Sequence, residues 1–168
     1  MAAWVGADRI NKLITPTVDT SAYAANDCIG TLIEITHSGA GLNGPVNDRS
    51  GSGKISRATL YDKASQIQTH AIQAYIFKDN PTSSTFTDQA AFNINDADLT
   101  KLECVITFDT ANGSEFGSSS ANQMIQRINL GITYETSTDS LYVVFKAIGT
   151  PTFGSSSDLS MRLIFERD

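Results

Sequence analysis

Charge is scarce in this sequence: 18% of its 168 residues are Asp, Glu, Lys or Arg, against about 25% in an ordinary globular chain. The polar surface must therefore come from Ser, Thr, Asn, Gln and Gly, which suit turns and strand edges better than exposed helices. Long apolar runs are missing too, and none approaches the roughly 18 residues of a membrane span. The opening MAAWVGADRINK lacks the basic and apolar regions of a signal peptide. The expectation is a chain without a membrane partner, made and kept in a cytoplasm or released when the cell lyses. Cysteine is limited to Cys28 and Cys104, with no CxxC spacing. Only His37 and His70 could join them, and neither sits at a ligand spacing, which argues against zinc. Two reduced, buried thiols are the expected state, and a disulfide requires the fold to bring the two Cα atoms within about 7 Å.

What is present is enough apolar material for one core, with 40% hydrophobic residues in a chain of single-domain length. The net charge of −6 argues against nucleic acid as the partner, because phosphate binding needs clustered Lys and Arg. Here Lys54, Arg57, Lys101, Arg127, Lys146 and Arg162 are spread along the sequence.

The apolar residues fall in short runs of period two, separated by Gly, Ser, Asn, Asp and Pro. Strands are expected at Arg9 to Thr15, Cys28 to Thr36, Lys54 to Tyr61 and Gln68 to Lys78. Four more follow at Glu103 to Asp109, Met124 to Glu135, Ser140 to Ile148 and Asp158 to Glu166. In the second, Ile29, Thr31, Ile33 and Ile35 share one face against Leu32. In the third, Ile55, Arg57, Thr59 and Tyr61 oppose Ser56, Ala58 and Leu60. The last sets Leu159, Met161, Leu163 and Phe165 against Ser160, Arg162, Ile164 and Glu166. Segment Gln68 to Lys78 also fits a helix by its Ala71, Ile72, Tyr75, Ile76 spacing, but its aromatic and β-branched end favours a strand. Thr87 is expected to cap a turn across Asp88 to Ala91, and Asn95 or Asp96 a short helical turn ending near Leu102. Ser137, Thr138 and Asp139 suit a tight hairpin, and 37–53 reads as a long loop. About eight strands without long helices point to an all-β fold. The expected architecture is an antiparallel two-sheet sandwich of jelly-roll type, with residues 1–8 as an N-terminal arm and 9–168 as one domain.

Catalytic chemistry finds little purchase. GSGK at Gly51 to Lys54 is no phosphate loop, since Ile55 replaces the magnesium-binding hydroxyl and Asp48 the first glycine. The run Asp96 to Asp98, with Asn93 and Asn95, offers oxygens for calcium but lacks an EF-hand's glycine and terminal glutamate, and local capping explains the same residues. His37 and His70 lie near no nucleophile elbow. No enzyme, cofactor or metal is expected. Tyr61, Tyr75, Phe77, Phe108, Tyr134 and Phe165 fall inside strands and read as core. Trp4 and Val5 sit instead on the arm, where a large side chain buries little unless it docks, and Phe116 is the one aromatic in the polar loops Gly39 to Gly53 and Asn112 to Asn122. These are the candidate partner-binding residues.

The blocks TPTVDTSAYAANDCIG (Thr15 to Gly30), FKDNPTSSTFTDQAAFNINDAD (Phe77 to Asp98) and SLYVVFKAIGTPTFGSSSDLSMRLIFERD at the end resemble a family of small tailed-bacteriophage virion proteins. These are similar to capsid decoration (cement) or head-fibre components, and the resemblance runs from about Val18 to Asp168. Within the blocks, Tyr23, Asp27 and Gly30 read as a turn into the second strand, and Asn80, Pro81 and Asp88 as parts of a capped loop. The resemblance implies a virion protein that binds the outer capsid surface, with the major capsid protein as partner and a symmetric homo-oligomer such as a trimer. It implies no catalytic residue. A receptor- or carbohydrate-binding fibre module, or a neck or tail adaptor, is the alternative.

Overall fold

The computed structural model describes residues 9–36, 52–64, 70–109, 124–138 and 140–166. Four strands come first, β1 (Arg9–Ile14), β2 (Cys28–Thr36), β3 (Ser52–Asp62) and β4 (Ala71–Phe77). A 3-10 helix (Asp96–Lys101) then leads into β5 (Leu102–Phe108), β6 (Met124–Glu135), β7 (Ser140–Ile148) and β8 (Leu159–Glu166). They form two four-stranded sheets, ordered β1-β8-β3-β6 and β2-β7-β4-β5. All neighbours are antiparallel, and the first strand pairs with the last, the second with the seventh, the third with the sixth and the fourth with the fifth. That nesting is one long ribbon wound across two sheets, which is the expected jelly roll. Segment 71–77 is strand, as its β-branched and aromatic end indicates.

The topology corrects the expected hairpin at Ser137 to Asp139. β6 and β7 lie in different sheets, so Ser137 and Thr138 carry the chain from one sheet to the other. A polar break between two alternating runs looks the same in a hairpin and in a crossover. Only β4 and β5 are both consecutive and paired, and the long segment 78–101 joins them.

β3 departs from expectation twice. It begins at Ser52, so Ser52 and Gly53 are paired with Glu135 and Tyr134 and do not belong to a loop. Gly53 permits this: a Cβ there would lie 2.9 Å from Tyr134 Oη and 3.1 Å from the Glu166 carbonyl. Second, the register shifts between Ile55 and Arg57 against both neighbouring strands. Across this step β3 carries one residue more than β8 and one fewer than β6, and its alternation is reset. Ile55 therefore joins Ala58 and Leu60 in the core, and does not share a face with Arg57, Thr59 and Tyr61.

The main core fills the space between the sheets. From β8 it takes Leu159, Met161, Leu163 and Phe165, all with no exposed surface, on the face that strict alternation assigned. β2 contributes Ile29 and Ile35, with Ile33 packed alongside. A second, smaller core lies on the outer side of the β2-β7-β4-β5 sheet, where Cys28, Phe77, Phe86, Tyr142 and Val144 pack together. Leu32 packs there too, on the opposite side from the β2 isoleucines. β7 is consequently covered on both sides, with Leu141, Val143, Phe145 and Ala147 inward and Tyr142 and Val144 outward. Each fully buried aromatic or aliphatic side chain stabilises the fold by about 1.5–3 kcal/mol relative to exposure. Of the strand aromatics, Phe77, Phe108, Tyr134, Tyr142, Phe145 and Phe165 are buried and Tyr75 packs half-buried on the second core; Tyr61, expected in the core, is instead half-buried on the outer face beside Arg162.

Both thiols are free. Cys28 on β2 and Cys104 on β5 occupy opposite edges of one sheet. Three strand spacings separate them, about 14 Å, well beyond disulfide reach.

Candidate functional surface

Carboxylates carry much of the loop architecture. Asp88 Oδ1 accepts from the Tyr23 hydroxyl at 2.7 Å and from the Gly30 amide at 2.6 Å. The Tyr23 oxygen in turn accepts from the Asp19 amide at 2.7 Å. One side chain thus ties the β1–β2 connection to the β4–β5 connection. Burial pushes the Tyr23 phenol well above its ordinary value, and the bond to Asp88 adds to this. Gly30 stands at φ +71, inside the irregular stretch of β2 between Ile29 and Ile33. A Cβ there would come within 2.9 Å of Pro16 Cβ, so the position requires glycine for both conformation and space. Asp27 Oδ2 caps the Ala24 amide at 2.8 Å, completing the turn into β2 read from Tyr23, Asp27 and Gly30.

The acidic run at 96–98 is used the same way. Asn95 caps the 3-10 helix by accepting from the Ala97 amide at 3.0 Å. Asp98 is fully buried and accepts from the Ser83 amide (2.9 Å), the Ser84 hydroxyl (2.7 Å) and Lys101 Nζ (2.7 Å). Burial alone would raise this carboxyl, but the bonds from Lys101 and Ser84 and the Lys101 charge outweigh it and hold it below the ordinary range. Thr87 closes its turn through its carbonyl, which accepts from the Ala90 amide at 3.1 Å. Among the described residues, no group of three His, Cys, Asp or Glu side chains is placed to hold a metal ion.

These staples fasten segment 78–101 over the outer side of the β2-β7-β4-β5 sheet. The Lys78 amide donates to the Lys101 carbonyl at 2.9 Å, closing its base. Phe86 and Phe92 lie 5.4 Å apart, Phe86 sits 5.9 Å from Phe77, and Phe92 sits 4.4 Å from Tyr75. Lys146 Nζ lies 5.5 Å above the Phe92 ring. The sequence reading took this segment as a capped loop and missed that it carries core. The available signal was Phe86, Phe92 and Ile94 within an otherwise polar stretch, opposite the unbroken apolar run of β7.

The outer side of the β1-β8-β3-β6 sheet differs. Ile128, Leu130, Ile132 and Tyr134 of β6 pack on the core, so Arg127, Asn129, Gly131, Thr133 and Glu135 project outward and are exposed. Thr59 on β3 stands directly between Arg127 of β6 and Arg162 of β8. It points outward and is only 3% exposed, while Arg127 and Arg162 on either side of it are exposed. The Arg162 guanidinium lies 5.4 Å from the Tyr61 ring centroid. Arg57 Nε donates to Asn129 Oδ1 at 3.2 Å. Lys54 and Arg9 lie toward the far end, where Arg9 pairs with Glu166 at 3.1 Å. Basic residues dispersed in sequence are therefore gathered on one sheet face, which a strand-by-strand reading without pairing order cannot show. Leu13, 60% exposed, stands opposite Arg162 across the β1–β8 pair.

Among the other candidates, Trp4, Val5 and Phe116 lie outside the described residues, as does His37. His70 precedes β4, and its Nδ1 accepts from the Thr150 amide at 3.3 Å, a structural contact at the sheet end. Burial pushes the Cys28 thiol up to about 11 and the Cys104 thiol up to about 12, so neither is a ready nucleophile.

No protein-family model matches the chain, and no curated protein matches it in sequence. Among solved structures, it is similar to a chain of "Israeli acute paralysis virus heated to 63 degree - full particle", at 11% identity and a TM-score of 0.34. That match covers 95% of this chain and 68% of the viral one. At such a TM-score the likeness supports no conclusion about what this chain does.

Proposed function

We propose that this chain is a structural virion protein of a tailed phage, bound in many copies to the outer surface of the capsid. The supporting observation is the contrast between the two outer sheet faces. One is sealed by the chain's own loop, and the other, among the described residues, is not covered and carries exposed Arg, Asn and Leu side chains. Polar groups of the kind that serve chemistry, such as Asp88, Asp98 and Tyr23, hold loops in place. The capsid itself enters through the three residue blocks that resemble phage decoration proteins. A rigid sandwich with one free face suits a clamp between neighbouring capsomers, where weak contacts add up by multivalency. A symmetric oligomer, with a trimer favoured, is part of the proposal, and Trp4, Val5 and Phe116 are its further contact candidates.

Cryo-electron microscopy of the parent virions tests this. Regular density fitting the sandwich over the capsid lattice is the expected result. Density confined to the neck or tail tip would overturn it in favour of an adaptor or host-binding role.

A further inference from the structure

We infer that the outer face of the β1-β8-β3-β6 sheet, which the described residues leave uncovered, is a docking surface for a protein partner presenting clustered carboxylates, with Arg57, Arg127 and Arg162 as its anchors. Three observations carry this. The chain as a whole is acidic, with a net charge of −6, yet the part of this face around Thr59 carries only arginine charge among the described residues. The arginines converge by construction: Arg127 and Arg162 flank Thr59 in register, and Arg57 lies two residues before it on the same strand face. Their Cα atoms on the two flanking strands are separated by two strand spacings, about 10 Å, a distance that a pair of carboxylates on a partner can span.

The side chains are also partly organised in advance. Arg162 is stacked over Tyr61, and Arg57 is held through its inner nitrogen by Asn129. A fixed guanidinium loses less entropy on meeting a carboxylate, and its fork matches that group in two-point geometry. The remaining contributors are Tyr61 and the exposed Leu13 beside Arg162. Arginine with tyrosine and a neighbouring aliphatic is the composition of a protein-interface centre. It also weighs against a nucleic acid, which would track a longer basic path and here meets Glu135 and Glu166 at the far end of the face. The surrounding negative charge repels a general polyanion while the local patch attracts a matched acidic surface, which gives selectivity as well as attraction. The acidic chemistry of the partner follows from this face alone; taking that partner to be the capsid rests on the function proposed above.

The test uses the full chain, its R127Q/R162Q variant and a K63Q/K78Q control that removes equal charge elsewhere. Glutamine removes the charge and keeps a polar, flexible side chain, and thermal unfolding checks that all three fold alike. Fluorescence anisotropy at low salt reads binding to a labelled polyglutamate peptide and to single-stranded DNA of equal length. The expected result is peptide binding weakened about tenfold in R127Q/R162Q, unchanged in the control and only partly recovered in R127K/R162K, which restores the charge without the fork. Absence of peptide binding by the unaltered chain, equal loss in both variants, or tighter arginine-dependent binding to DNA would each overturn the inference. A second arm cosediments the proteins with parent capsids stripped of this chain. Equal pelleting of the unaltered chain and R127Q/R162Q sinks the docking face but leaves the capsid role. No pelleting of either, with peptide binding still arginine-dependent, sinks the capsid role and leaves the docking face.

Discussion

The two outer sheet faces begin from the same geometry and end in opposite states. Outside β2-β7-β4-β5, segment 78–101 folds back and builds a second core on Phe77, Tyr142 and Val144. Outside β1-β8-β3-β6, the described residues offer Arg127, Asn129, Thr133 and Arg162 to solvent. The strands record this difference in their composition. β7 reads as an almost unbroken apolar run because it is covered on both sides, whereas β8, covered by the described residues on one, alternates except at the outward Ile164. A run such as SLYVVFKAI in an antiparallel sandwich thus reports that something must cover its second face.

The most severe way to break the comparison is to empty the sealed face. Phe77→Ala is expected to cost about 3–5 kcal/mol, the usual range for a buried phenylalanine. Arg127→Gln on the open face is expected to stay within about 0.5 kcal/mol. Urea denaturation of both measures the contrast, and a Phe77→Ala cost below about 1 kcal/mol would mean the loop covers the sheet without packing on it.

Next comes the latch that holds the cover in register with the β1–β2 connection. Asp88→Ala removes the acceptor of both the Tyr23 hydroxyl and the Gly30 amide, with an expected cost of about 3 kcal/mol. Tyr23→Phe removes one of those bonds together with the bond accepted from the Asp19 amide, and should cost about 2 kcal/mol. Equal losses for the two variants would show that the Gly30 bond contributes no more than the Asp19 bond.

A smaller effect follows from acid. The Asp98 carboxyl titrates below its ordinary value in the folded chain, so its contribution is fully present above the unfolded-state value of about 4. It is lost as pH falls through the lower folded-state value, when protonation removes the Lys101 pairing. Amide exchange at Ser83 is expected to accelerate in that window before the main core opens. In Asp98→Asn the acid dependence should be shallower, and an identical slope would show that other carboxylates govern acid opening.

How much of this was legible beforehand varies by physical cause. Strand positions were, because period-two alternation is written residue by residue: β8 came through with its faces intact. The β3 faces were not, since a bulge at Ile55 to Arg57 leaves no mark in a pattern of Ile, Ser, Arg and Ala. Strand order was only weakly legible, and the hairpin expected at Ser137 to Asp139 became a crossover because pairing partners are chosen by the whole wrap. The arginine face was hidden for the same reason. Arg57, Arg127 and Arg162 look scattered until β3 is known to lie between β6 and β8. The Asp98 staple was half visible: capping was read from Asn95 and Asp96, but the long reach to Ser83 and Ser84 was not.

The finest probe of the comparison is the reactivity of the two thiols. Cys28 belongs to the second core beneath the cover, while Cys104 packs against the main core from the opposite sheet edge. Burial raises both thiols, to about 11 and about 12, so native labelling by a disulfide reagent at mildly alkaline pH is expected to be slow for each. The ratio of the two rates is the informative quantity. The Cys28 amide and carbonyl are bonded to Ala90 and Gln89 of the covering segment, so exposing its sulfur requires that segment to lift. Phe86→Ala loosens the cover without touching the main core, and it is expected to speed labelling of Cys28 while leaving Cys104 nearly unchanged. That outcome would make the sealed face a separately opening unit with a lower local stability than the sandwich beneath it. Parallel acceleration of both thiols would instead show that cover and sandwich open together, and the sealed face would then be as integral to the domain as the core between the sheets.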